Sequence, residues 1–536
     1  MTCGVRRRVV RQARKWRVGL ALGAMGCLAA CDLAPAYQEP KYLYPDGWKG
    51  HGVLVDGHPA DAAPRRDWWT SFRDPELNAL EGRMLARNPT LQAAAEIFTQ
   101  SRDIARETEA QLYPQLSAMG AMSNNQASKT RLWRPSGSTS PLYESSVYYS
   151  GAATWEPDFW DHIRNTSHMQ KNLAQAEAAS YALTRLELEA ELASDYIGLR
   201  GLDAQLAVYD DSVRYFRAAV QITQLRQFGA IGAGMDVSRA QDELFATMAA
   251  RSNTQAQREV MEHAIATLVN ATPVSLDLPR SHSQTLGFAD IVFGAGIPSG
   301  LLQRRPDVAE AERRMAASSR AIGVARAAFY PNVTFSATGG FMNNGFDLAN
   351  LANSMWSYAV QAVEPAFTGG LRRAALQRAW SQYREAADSY RATVLGAFQD
   401  VEDGLSQTRR FREQQEQQAQ AVAAALRTQK MVMALYTGGL TNYLDVVVAQ
   451  QAALTARIGE VQAETIQLQA TVRLARALGG GWNRNELPPV SKIDPIHPLQ
   501  YQGLHWPTPA GGVTNFGAPA DANLGDVGAT RGPATK

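Results

Sequence analysis

The sequence predicts a mostly α-helical fold with a membrane β part. Two tandem helix–strand–strand–long-helix repeats would assemble, as a trimer, into a twelve-stranded β-barrel continuous with a long α-helical barrel. Three observations carry this expectation. The chain repeats itself at a nearly constant offset. Residues 158–272 and 366–487 contain no proline, although the chain has 25. Four short segments alternate apolar and polar residues.

At the start of the chain, Arg6, Arg7, Arg8, Arg11, Arg14, Lys15 and Arg17 precede an apolar run over 18–30, with no acidic residue among them. This has the shape of a secretory signal over residues 1–30. The run is too short for a membrane span, which needs about 20 apolar residues. Setting the block aside leaves 46 basic against 51 acidic side chains, so the basic pI is no argument for a nucleic-acid partner. All three cysteines (Cys3, Cys27, Cys31) lie at this end, which excludes a disulfide framework in the mature chain. Leu28-Ala29-Ala30-Cys31 resembles a bacterial lipobox, in which the Cys31 thiol takes a diacylglyceryl group. The alternative is an ordinary signal cleaved nearby, with Cys31 incidental. A lipid there holds the chain on a membrane leaflet without spanning it. Residues 31–72 read as a lipidated N-terminal segment, extended over 41–64.

The first repeat is expected over 73–275 and the second over 290–482. Arg87-Asn88-Pro89 through Tyr113-Pro114 corresponds to Arg304-Arg305-Pro306 through Tyr330-Pro331 at an offset of 217. Glu156-Pro157-Asp158-Phe159 matches Glu364-Pro365-Ala366-Phe367 at 208, and residues 229–241 (GAIGAGMDVSRAQ) match 438–450 (GGLTNYLDVVVAQ) at 209. The change in offset places about nine extra residues in a first-half loop near 129–141. The proline-free windows are rich in Ala, Gln, Glu, Arg and Leu, all good helix formers. A continuous helix over 160–228 would reach about 100 Å, which suits a tube or stalk and no compact globule. The glycine-bearing turns at 229–234 and 438–439 would lie at its far tip.

Strands are expected at about 115–124, 146–155, 332–342 and 355–364. In the third, Val333, Phe335, Ala337, Gly339 and Phe341 share one face and Asn332, Thr334, Ser336 and Thr338 the other. Ten residues of period two match a tilted transmembrane strand. A soluble hairpin with one face on a core is the competing reading. Four strands cannot close a barrel, and an open edge in lipid leaves backbone groups unpaired at several kcal/mol each. Eight strands give an interior nearly filled by side chains, so three chains make the smallest open pore.

Leu301-Leu302-Gln303-Arg304-Arg305-Pro306-Asp307-Val308, with Ala311-Glu312 and Tyr330-Pro331, resembles the TolC-like outer-membrane factor family, in its lipoprotein (NodT-like) branch. Cys31-Asp32-Leu33-Ala34-Pro35-Ala36-Tyr37, Trp68-Trp69 with Phe72, and Asp74-Pro75-Glu76-Leu77 add to the likeness, which covers roughly 31–482. It implies a homotrimer in the outer membrane of a Gram-negative bacterium, with a twelve-helix tunnel reaching through the periplasm. It also implies a periplasmic adaptor and an inner-membrane pump docked at the helical tips. The function expected is that of a passive exit duct in tripartite efflux, carrying drugs or other toxic small molecules outward.

At the tips, Gly229, Gly232, Gly234, Gly438 and Gly439 permit positive φ and close backbone approach, and the resemblance makes them adaptor contacts. Asp236, after Met235, and Leu444 with Asp445 are the candidate gate, where an acidic ring would favour cations. Alternatively, both aspartates cap the returning helices. Many relatives carry a further acid three residues after the Asp445 position, where this chain has Val448. A second departure is Asp32: in enteric bacteria an aspartate directly after the lipidated cysteine tends to retain lipoproteins at the inner membrane.

The eight histidines form no metal spacing and the glycine turns lack the Lys-Ser/Thr partner of a phosphate loop, so neither an enzyme nor a cofactor is expected. An adaptor would carry one helical hairpin flanked by lipoyl-like and small β-barrel halves, not two matching repeats. A duct for type I protein secretion keeps the same fold and stays open as an alternative. Residues 483–536 are rich in Pro and Gly and read as a largely disordered tail.

Overall fold

The computed structural model describes residues 32–40, 48, 67–126, 143–288, 291, 303–345 and 350–489. The signal segment, Cys31, the loop near 129–141, all of the 41–64 strap except Trp48, and the tail beyond 489 lie outside the described residues.

The duplication is visible in element lengths. Helices α2 (Pro89–Ala110) and α5 (Pro306–Ala327) each have 22 residues. Strands β1 (Gln115–Gln126) and β3 (Asn332–Asn343) each have 12. Helices α3 (His162–Phe228) and α6 (Leu371–Thr437) each have 67, and α4 (Gly234–Leu268) and α7 (Tyr443–Ala477) each have 35. Strands β2 (Tyr143–Trp155) and β4 (Ser354–Val363) complete the two hairpins. At 67 residues, α3 and α6 are each about 100 Å long.

Ahead of these, a 3₁₀ turn (Trp68–Phe72) and α1 (Pro75–Arg87) form a collar. Asp74 starts α1 by accepting from the Glu76 and Leu77 amides at 2.8 and 2.9 Å, and Pro75 fits the first helical position. Leu77, Leu80 and Met84 join Trp68 and Phe72 against α3 in one cluster, which takes in Leu192 and Tyr196 of α3 and extends to Tyr390 and Val394 of α6. That cluster is the main core, and it sits midway along the rods.

Near the sheet, α3 packs between α2 and α5; towards the tips it packs between α4 and α7, while α6 lies beside α5 and α7. Close approach needs small residues. A Cβ on Gly201 of α3 would sit 2.4 Å from Oγ1 of Thr465 on α7.

The four strands form one antiparallel sheet in the order β1-β2-β3-β4. Directly paired residues lie on one face of an antiparallel sheet. Leu116 pairs with Ala153, and Gly120 with Tyr149. Tyr149 pairs with Phe341 and Trp155 with Phe335; Phe335 pairs with Val360, Ala337 with Tyr358 and Gly339 with Trp356. Most of the large apolar residues of the four strands, including Leu116, Tyr149, Trp155, Phe335, Phe341, Trp356 and Tyr358, therefore share one face, while Met119, Tyr148 and Met342 fall on the other. Ser117, Ser150, Thr154, Ser336 and Gln361 lie on the opposite one. Among the described residues nothing covers the apolar face: Leu116 is 81% exposed, Trp356 74% and Tyr358 77%. The described residues thus supply no core for a soluble hairpin to pack on.

One expectation is corrected. Residues 483–489, read as the start of a disordered tail, are ordered. Arg484 opens a short 3₁₀ turn (Arg484–Glu486), its amide donates to the Gln303 carbonyl at 2.8 Å, and its guanidinium meets buried Glu312 at 2.9 Å. Gln175 donates to the Pro488 carbonyl at 2.7 Å. Buried hydrogen-bonding partners outweigh the local composition.

Candidate functional site

The structure brings the two glycine-bearing turns together at the far ends of α3 and α6. Each turn is a Schellman motif. In the first, the Ala230 amide donates to Gln227 and the Ile231 amide to Arg226, both at 3.0 Å. In the second, the Gly439 amide donates to Tyr436 at 3.0 Å and the Leu440 amide to Leu435 at 2.9 Å.

The glycine assignments need revision. Only Gly439 takes the positive φ, at 75°; the matching residue of the first turn is Ala230, at 59°. Gly229 and Gly438 are C-caps with φ near −77° and −76°. Gly232 serves close approach, since a Cβ there would lie 3.0 Å from the Arg226 Cβ. Gly234 opens α4, with its missing Cβ 3.0 Å from Gln227 Nε2.

The aspartates are not the caps. Asn442 caps α7, its side chain accepting from the Asp445 amide at 3.1 Å, and α4 starts from Ala233 without a side-chain cap. Asp236 and Asp445 stand in the first turns, where the helix dipole favours an acid. Asp445 is exposed and accepts from the Thr441 hydroxyl, whereas Asp236 is half-buried. Leu444 and Val448 are exposed one helical turn apart, so Asp445 belongs to an apolar strip left free by the protomer.

Sequence reasoning missed what joins the turns. The Arg226 guanidinium donates to the Tyr436 carbonyl at 2.9 Å and lies over the Tyr436 ring at 4.6 Å. Tyr436 and Tyr443 meet edge-on with centroids 5.2 Å apart, among Phe216, Val220, Leu244 and Val446. Burial pushes both phenols above their ordinary pKa. Gln451 on α7 donates to Glu243 on α4 at 2.7 Å. The aromatic residues were visible in the sequence, but no spacing linked positions about 210 residues apart. Beyond this cluster the tip is apolar and bare: Leu225, Ile231 and Leu440 are exposed, and Phe228 is 94% exposed.

At the opposite end, the foot of the sheet is aromatic. Trp155 donates to the Leu112 carbonyl at 3.0 Å, and Trp160 donates to Pro331 at 2.9 Å while stacking on Tyr330. Such aromatics mark the interfacial girdle of membrane barrels. Beside them lies the segment that follows Cys31. Asp32 accepts from Arg320 at 2.8 Å, Asn165 at 3.0 Å and the Ala34 amide at 2.9 Å. Burial works to raise the Asp32 carboxyl, but these three donors together hold it below the usual carboxylate range. Ala34 rests in a notch at Gly323, where a Cβ would come within 2.8 Å of it.

A bare apolar sheet face with two open edges, set on helices about 100 Å long, defines a subunit of an outer-membrane channel. The profile of the outer membrane efflux protein family matches residues 80–271 and 297–480, and the chain belongs to that family. OprJ of Pseudomonas aeruginosa is 28% identical over 463 residues, covering 85% of this chain and 94% of OprJ. The pyoverdine export outer membrane protein OpmQ of Pseudomonas putida is 30% identical over 450 residues, covering 82% and 92%. The solved outer-membrane channel OprN superposes with a TM-score of 0.74 at 28% identity, over 83% of this chain and 99% of OprN. The protein is an outer-membrane efflux channel component, not an enzyme.

Proposed function

We propose that three copies pool their four-stranded sheets into a twelve-stranded barrel, continuous with a twelve-helix tunnel, and passively conduct toxic small molecules outward. The observation that carries this is the strand register. It gathers most of the large apolar side chains of the four strands, all of the tryptophans and phenylalanines among them, onto one face that no other described residue covers, and leaves β1 and β4 as open edges among the described residues. Lipid covers the face and neighbouring copies pair the edges, since unpaired backbone in lipid is costly.

The bare apolar tip around Phe228, Ile231 and Leu440 supports docking of a periplasmic adaptor there, with an inner-membrane pump beyond it. The turn glycines shape that surface, and Asp236, Leu444 and Asp445 form the constriction next to it. Cys31 carries the acyl anchor, and the Asp32 clasp holds the following residues at the foot of the sheet. A relative named for pyoverdine export supports small-molecule cargo over protein secretion.

Single-channel recording of the purified protein in a planar bilayer tests the reading. Long-lived unitary currents from a preparation whose native mass is three chains are expected. A water-soluble single chain, with no conductance after removal of the anchor, would sink it.

A further inference from the structure

The collar buries a group of charges that channel formation does not use. Glu81 of α1 is 0% exposed, inside the main core, and neither of its carboxyl oxygens has a hydrogen-bond partner among the described residues. Against it, α3 presents Glu189, 3% exposed, and Arg185, whose Nε donates to Glu189 at 2.7 Å. Arg185 bonds Glu189 and acts on Glu81 only through its charge, so among the described residues one buried guanidinium stands near two buried carboxyls.

Ionising both carboxyls would leave an uncompensated negative charge in a dry core, which is costly. Counting the described residues, the cluster is neutral only when it keeps one proton. Among the described residues, the other titratable groups facing it add no second cation: Asp67 ahead of the 3₁₀ turn, Tyr181 on α3, and Glu486 after α7. A void of about 30 Å³ bounded by Tyr181, Arg185, Glu189, Gly480 and Trp482 has room for a water molecule next to Glu189.

We propose that Glu81 and Glu189 form a proton-sharing latch that holds the collar on the tube and tightens as the surroundings acidify. Both partners lie in one protomer, so the latch does not depend on the assembly. Burial, then the charge of Glu189, holds the Glu81 carboxyl well above the usual range. Burial also outweighs Arg185 and raises Glu189 to about 7.

The direction follows from linkage. Both folded-state values lie above those of an unfolded glutamate, so the folded collar binds the extra proton. Its stabilisation is full below the unfolded value, near 4.5, and is lost as pH rises through the folded values. The collar therefore loosens towards alkaline pH. The α1 start is tied separately, through Tyr196 to Asp74 at 3.2 Å and Arg200 to Glu76. Loosening centres on the middle of α1 and on the 479–486 segment beside the void.

Hydrogen exchange of the full chain in detergent, from about pH 6 to about pH 8.5, reads the latch once intrinsic rates are corrected. Protection over residues 67–87 should fall with rising pH, by up to about tenfold per unit, the limit for one proton. The helical tips should show no such slope. Glu81→Gln keeps the shape and removes the charge, so it should abolish the slope and protect the collar more than wild type at the alkaline end. A wild-type slope in that variant, or a flat wild type, overturns the proposal. Should the variant not fold, the infrared carbonyl band of a protonated carboxyl decides on the wild type: its absence at neutral pH overturns the latch as well.

Discussion

Helices α3 and α6 are the same element of the two repeats, with 67 residues each, yet 33 residues of α3 are buried and only 10 of α6. Composition contributes, since α6 carries more Arg and Gln than α3. Position adds to it: α3 lies between the repeats and is packed from both sides, while α6 runs along the rim of the protomer. Leu395, Met431 and Leu435 of α6 are left exposed, as are Phe245 and Val260 on α4 at the other rim. The sheet repeats the pattern, with β2 and β3 flanked and β1 and β4 bare on one edge. A duplicated gene thus gives two helices with one sequence logic and two destinies, one sealed within the chain and one awaiting a neighbouring copy.

The largest effect should come from exchanging these roles. Leu192 of α3 is wholly buried. Leu192→Ala should cost about 2–5 kcal/mol by loss of contacts and the cavity left behind. Leu395→Asp on α6 should leave the chain helical, by circular dichroism, while the share of oligomer surviving mild detergent electrophoresis falls. If Leu395→Asp unfolds the chain, or leaves the oligomer intact, α6 is not the rim.

Next in size is the clasp at the foot of the sheet, which ties α3 and α5 to the segment after Cys31. Gly323→Val places a side chain where Ala34 now rests. Hydrogen exchange over residues 32–40 should accelerate while the oligomer persists. Acidification should do the same reversibly. The Asp32 carboxyl is held low, so its contribution is present above the ordinary carboxylate range and lost as pH falls through its depressed value. Mass analysis of Cys31, for the acyl group proposed there, separates a failed clasp from a missing anchor.

The tips sharpen the comparison at the level of charge. Asp445, exposed beside Leu444, should control ion preference more than half-buried Asp236. In bilayers Asp445→Ala should lower the ratio of cation to anion permeability, and Asp236→Ala should lower it less. Equal effects would mean that both aspartates line the constriction alike. Unchanged permeability in both variants would remove them from the gate.

What was legible in the sequence has a local cause. Alternation over ten residues is a property of neighbouring side chains, so Val333, Phe335, Ala337, Gly339 and Phe341 announced a one-sided strand without reference to the rest of the chain. The proline-free windows likewise announced the rods, and the Asp-Val and Ala-Gln pairs aligned the tips. The missed features depend on distant partners. Arg226 and Tyr436 are 210 residues apart, Asp32 and Arg320 are 288 apart, and Arg484 and Glu312 are 172 apart. Glu81 carries no sign in its neighbours that it is buried without a hydrogen-bond partner. The positive φ of Ala230 was hidden for a different reason: glycines on either side offered themselves as easier candidates.

That last case sets up the smallest and cleanest test. The two turns share their hydrogen bonds and differ at the left-handed position, which is Ala230 in one and Gly439 in the other. An L-residue pays about 1 kcal/mol there through contact of its Cβ with the backbone. Gly439→Ala should therefore destabilise its turn by about 1 kcal/mol, because a Cβ at this position meets nothing else within 4 Å. Ala230→Gly should stabilise its turn by a similar amount. Exchange of the Leu440 and Ile231 amides, which close the two motifs, reports each change separately. Opposite signs at the two positions would place the difference in the backbone alone. Equal signs would mean that contacts of the assembled tip, rather than φ, decide which residue each turn carries.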